Sequence, residues 1–124
     1  MRSFAFVLVL ASGISAQVTP AVPTTKVLAI GSLAANTESS SLSTILPREV
    51  HDTVQLYLGG KIDQWYSRQD TRGVVFLMNV KTVEEANDLL EKLPLGVAKM
   101  MHFQLIPLGP LSPLNYLLTA TPRP

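Results

Sequence analysis

The side chains with the widest chemical reach in this 124-residue chain are two histidines, three tyrosines, one tryptophan and nine carboxylates, with no cysteine. The lack of thiols excludes disulfides, thiolate nucleophiles, iron–sulfur clusters and cysteine-based zinc sites. The spacing from His51 to His102 carries no metal-ligand signature, so neither a metal nor a cofactor is expected. What remains within reach is metal-free proton transfer. An allylic proton shift or a cyclisation needs a base of near-neutral pKa, donors for a developing enolate, and a dry pocket.

His102 interrupts an otherwise apolar run, Met100–Leu108 (MMHFQLIPL). Strand alternation puts His102, Gln104 and Ile106 on one face and Met101, Phe103 and Leu105 on the other. The more apolar set is expected to face the helices, which points His102 and Gln104 into a cavity between the sheet and a partner subunit. Gln64 and Tyr66 share a strand face by the same reasoning. The expected catalytic pair is therefore His102 as proton carrier and Tyr66 as donor, with Gln104, Gln64, Trp65 and His51 as substrate contacts. Each has a structural alternative: His102 as an interface histidine, His51-Asp52 as a solvated pair on the outer helix face, Trp65 as core or interface. Asp63 pairs with Lys61, serves as a base, or is a solvated strand-edge carboxylate. Arg68 and Arg72, flanking a turn, either steer a carboxylate substrate or are solvated.

The elements that must position these groups follow from periodicity and punctuation. Lys26–Ala34 reads as a buried strand and Asn36–Ser43 as a polar loop. A helix is predicted from Thr44 as N-cap, with Pro47 in its first turn, with Leu46, Val50, Thr53, Val54 and Tyr57 at helical spacing, and with Gly59-Gly60 as its stop. Ile62–Arg68 and Gly73–Val80 form a hairpin around Gln69–Arg72. Thr82-Val83-Glu84-Glu85 has capping-box spacing and opens a helix through Val83, Ala86, Leu90 and Leu93, ended by Leu93-Pro94. Met100–Leu108 is the last strand. The order β-α-β-β-α-β predicts an α+β, ferredoxin-like domain with both helices on one sheet face. Its strands are apolar on both faces, which predicts a homodimer or larger homo-oligomer formed through the uncovered face.

Hydrophobic residues make up 47% and charged residues 15%, which argues against disorder. A net charge of +1 gives no footprint for nucleic acid and no polybasic membrane patch. Arg2, the apolar run Phe4–Ala11 and small residues up to Ala16 have the layout of a secretory signal peptide, too short for stable membrane insertion. The expected organisation is a signal peptide over 1–16 cleaved after Ala16, a flexible leader over 17–25, a domain over 26–110 and a proline-rich tail over 111–124. The mature chain is expected to be secreted or held in a secretory-pathway lumen. No Asn-x-Ser/Thr sequon occurs, so N-glycosylation is not expected.

From Pro47 to Leu111 the order of short motifs resembles the muconolactone isomerase-like family of the dimeric α+β barrel superfamily. They are Pro47-x-Glu49, Leu56-Tyr57-Leu58-Gly59-Gly60, Ile62-Asp63-Gln64-Trp65-Tyr66-x-Arg68 and Asp70-Thr71-Arg72-Gly73. Val80-Lys81-Thr82-Val83-Glu84-Glu85-Ala86, Leu93-Pro94-Leu95 and Ile106-Pro107-Leu108-x-Pro110 complete the series. The resemblance implies a small, cofactor-free oligomer and a proton-shift isomerisation. The expected function is a cofactor-independent isomerase or cyclase acting on a small, largely apolar lactone, enone or polyketide-like molecule. The rival is a non-catalytic secreted binding or interaction protein, and a cofactor-free monooxygenase is a third option.

Overall fold

The computed structural model describes residues 22–119. The signal-peptide expectation, with its cleavage after Ala16, therefore falls outside the described residues. Four strands, β1 (Lys26–Leu33), β2 (Ile62–Ser67), β3 (Gly73–Met78) and β4 (Met101–Leu108), form one antiparallel sheet in the order β2-β3-β1-β4. Helices α1 (Ser39–Leu58), α2 (Val83–Glu91) and the short α3 (Pro94–Val97) connect them. After β4 come a 3-10 turn, Ser112–Asn115, and α4 (Tyr116–Thr119), within the stretch expected to be only a proline-rich tail. This is the ferredoxin-like α+β architecture expected from the sequence.

Alternation sets the two faces. Val27 and Ala29 of β1, Ile62 of β2, and Phe76 and Met78 of β3 are buried with Val80, Ala86, Leu90 and Leu93, and Leu56 of α1 packs against them. Both long helices thus cover one face. Burying these side chains contributes about 1.5–3 kcal/mol for each large aliphatic or aromatic one. On the opposite face the ladder aligns Gln64, Leu77, Leu28 and Ile106 in one row and Tyr66, Val75, Ile30 and Gln104 in the next. A third row sets Gly73, Ser32 and His102 side by side.

Several boundaries differ from expectation. Helix α1 begins at Ser39, with Glu38 as N-cap and no side-chain cap bond, instead of at Thr44. Residues 39–43 were expected to be loop because serine favours turns. Leu42, Ile45, Leu46 and Glu49 follow helical spacing, however, and the turn is drawn into the helix that packs on the sheet. Thr44 is no cap; its hydroxyl donates to the Ser40 carbonyl at 3.1 Å. Pro47 consequently lies inside the helix, where its missing N–H leaves the Ser43 carbonyl without its usual donor.

Helix α1 ends where Gly60 takes φ +80°, a conformation that favours glycine. Helix α2 is capped as predicted, the Glu85 N–H donating to Thr82 Oγ1 at 3.0 Å. It stops at Glu91, and Leu93 instead caps α3, whose first residue is Pro94. Strand β2 ends at Ser67 and β3 at Met78, each short of the predicted end, and β4 starts one residue late at Met101. A bulge between Ile62 and Gln64 leaves Asp63 unpaired in the β2–β3 ladder.

Candidate cleft between the first helix and the sheet

Helix α1 leans on the sheet at its C-terminal half, where Leu56 joins the core, and stands away over the β2–β3 side. The gap is a cleft of about 570 Å³, within the range of small-molecule sites. Leu42, Leu46, Val50, Thr53 and Val54 of α1 form one wall. Trp65, Val74 and Phe76 of the sheet form the other, with Tyr66 at the rim beside Leu95, Met101 and Arg72. Nearly all of this lining is apolar. Val50, expected to be on the buried helix face, is 57% exposed because it borders this opening.

One acid faces the cleft. Glu49 is 8% exposed, the one buried charged residue among those described, in an apolar stripe of α1. Its Oε1 accepts the Leu95 N–H at 2.8 Å, tying α1 to the start of α3. Burial pushes its carboxyl above the ordinary glutamate value, opposed by the Leu95 hydrogen bond and assisted by the charge of nearby Asp52. An acid whose pKa is raised in this way is a stronger base once ionised than an ordinary glutamate.

The residues singled out from the sequence divide into three groups. Trp65 and Tyr66 line the cleft. Trp65 stacks on Tyr57 of α1 with ring centroids 4.2 Å apart and planes 12° apart, and it is 38% exposed. The Tyr66 hydroxyl donates to Gln64 Oε1 at 2.6 Å, so the shared face expected for these two is present. Gln104 lies in the Tyr66 row but on β4, the opposite edge strand. His102 is on that same strand, exposed, and borders a separate depression of about 420 Å³ with Asn87, Glu91 and Lys99. Two strands separate it from Tyr66, about 14 Å at the usual strand spacing. Within one protomer His102 and Tyr66 are therefore not brought together.

His51 lies on the outer side of α1, its Nδ1 3.1 Å from Asp52 Oδ1. That bond holds the Asp52 carboxyl below its ordinary value, opposed by partial desolvation and reinforced by Arg48. Asp63 pairs with Lys26 across the sheet, not with Lys61, whose Nζ donates to Glu85 at 3.1 Å. The Lys61 bond holds Glu85 below the ordinary glutamate range. Arg68 is engaged by Asp70 at 2.7 Å and by the Ser32 hydroxyl at 2.7 Å. Arg72 donates to the Thr37 carbonyl at 3.1 Å. Among the described residues no group of three His, Asp or Glu side chains is arranged to hold a metal ion, and no helix is long and apolar enough to cross a membrane.

The cleft residue absent from the sequence-based candidates is Glu49. Its signal was present: an acid at helical spacing from Leu42, Ile45, Leu46 and Leu56, inside an apolar stripe. A stripe centred on Leu46, Val50, Val54 and Tyr57 leaves Glu49 out of the apolar set. The chain matches no protein-family model and no curated protein.

Proposed function

We propose that this protein is a cofactor-independent isomerase or cyclase that moves a proton on a small, largely apolar lactone, enone or polyketide-like substrate held in the α1–sheet cleft. The single observation that carries the reading is a buried carboxyl, Glu49, in the wall of an apolar cleft of substrate size. In the β,γ- to α,β-unsaturated lactone shift, the Glu49 carboxylate takes a proton from the carbon between carbonyl and alkene. The resulting dienolate takes the proton back at the far alkene carbon, so the carboxylate is regenerated and no electrons are gained or lost. The motif resemblance to muconolactone isomerase-like proteins supports the same reaction class. We also propose that copies pair through the open sheet face, as in dimeric α+β barrels, and that the mature protein is exported.

The test uses α-angelica lactone, followed by ultraviolet absorbance as it converts to the conjugated isomer. Wild type is expected to accelerate conversion over buffer, and Glu49→Gln to lose about 10²–10⁴-fold, the range of a positioned general base. His102→Gln is expected to keep full turnover. The reverse ranking would relocate the chemistry to the open sheet face. A second reading, a non-catalytic binding protein, draws support from the Glu49–Leu95 hydrogen bond, which gives the carboxylate a structural task. Under that reading unsaturated lactones bind the cleft, none of them turns over, and Glu49→Gln changes stability alone.

A further inference from the structure

Trp65 is the only tryptophan in the chain. One face of its indole lies against Tyr57, yet the residue is 38% exposed and lines the cleft. Tyr57 is not among the cleft-lining residues, so Trp65 meets the cleft on surface that the stack does not cover. Tyr57 belongs to α1 and Trp65 to β2, so each ring limits the rotation of the other, and the platform is fixed before anything binds. The rest of the wall is aliphatic, with Leu46, Val50 and Val54 from α1 and Val74 from β3. A rigid aromatic surface opposed by aliphatic side chains favours a flat ligand, which gains stacking on one side and dispersion contact on the other. A puckered ligand of equal volume loses the first of these.

We infer that the cleft takes a planar, conjugated ring system that stacks on the free side of Trp65, which narrows the substrate class proposed for that same site and rests on that reading.

The experiment compares coumarin, a planar bicyclic lactone, with octahydrocoumarin, the same skeleton saturated and puckered, by isothermal titration of the full chain. Wild type is expected to bind coumarin about tenfold more tightly, and coumarin to change the Trp65 emission. Trp65→Leu is expected to weaken coumarin binding about three- to tenfold, the range a stacked aromatic pair carries, and to move octahydrocoumarin little. Trp65→Phe keeps a flat ring and is expected to keep the preference. Equal wild-type affinity for the two lactones would overturn the inference and leave the cleft standing as a binding site. Failure of both to bind, with Trp65 emission unchanged, would remove the cleft reading and the inference together. Equal losses for both lactones in Trp65→Leu and Trp65→Phe would make Trp65 a structural residue and overturn the inference alone.

Discussion

Glu49 is held between opposing demands: removal from water favours its neutral form, and the Leu95 N–H favours its ionised form. Burial is the larger effect, so the folded protein keeps this proton to higher pH than the unfolded chain does. The linkage sign follows. The stability that Glu49 contributes is complete below its unfolded pKa and falls as pH rises through its folded one. Glu49→Gln keeps a carbonyl oxygen for Leu95 and abolishes the titration. The melting temperature of the variant relative to wild type is therefore expected to rise as pH is raised above the ordinary glutamate value; parallel curves would show that burial does not govern this carboxyl. At this scale the sequence was partly legible. Alternation along β2 correctly joined Gln64 to Tyr66, whereas His51, expected as a substrate contact, lies on the outer side of α1 as its solvated alternative had it. The cleft itself was not legible, because its walls come from α1, β2 and β3, and how far a helix stands from a sheet is a tertiary property that local periodicity does not carry.

Strand and helix ends show the same division between local and tertiary control. The Thr82 cap and the Gly60 stop were readable because their signals are local: a hydroxyl three residues from its amide, and a positive φ that glycine adopts without strain. The start of α1 was not, since its serines favour turns on their own and helix only against the sheet. Gly31 illustrates a constraint invisible without neighbours. It sits in the middle of β1 opposite Phe103, and a Cβ there would stand 2.7 Å from the Phe103 ring and 3.1 Å from Met101 Sδ. Phe103 thus occupies the space a side chain at position 31 would need, and it tilts against Phe76 with centroids 5.9 Å apart. Gly31→Ala is expected to cost about 1–3 kcal/mol in urea unfolding, as overpacked cores do. Trimming the clashing ring with Phe103→Leu should recover part of that loss, so the double variant should be more stable than the sum of the single effects predicts. Simple additivity would mean that the strand relaxes elsewhere.

At the scale of the whole molecule, the two long helices lie on the same side of the sheet among the described residues. The uncovered side carries Leu28, Ile30, Val75, Leu77 and Ile106 as a contiguous apolar block, edged by Gln64, Tyr66, Gln104 and His102. Four strands at about 4.8 Å spacing and about six residues of length give a plan area on the order of 400 Å². The apolar block fills the middle of that area, and a contiguous apolar patch on a sheet face marks an interaction site. A second copy is self-complementary to such a patch, with the apolar block facing its equivalent and the polar edges closing around it. It would also bring a partner's edge strands over this face, the arrangement in which His102 and Tyr66 of different copies can approach. Sedimentation of the purified chain at micromolar concentration is therefore expected to give a dimer or larger species. Ile30→Glu places a charge in the centre of the block, where pairing would bury it without a partner. It is expected to release monomers while the far-ultraviolet circular dichroism stays native, because Ile30 is outside the helix-facing core. The cleft opens between α1 and the helix-facing side of the sheet, so turnover or lactone binding should survive in those monomers. A wild-type monomer at these concentrations would remove the sheet-to-sheet pairing. Loss of cleft function on dissociation would instead show that the partner copy completes the site.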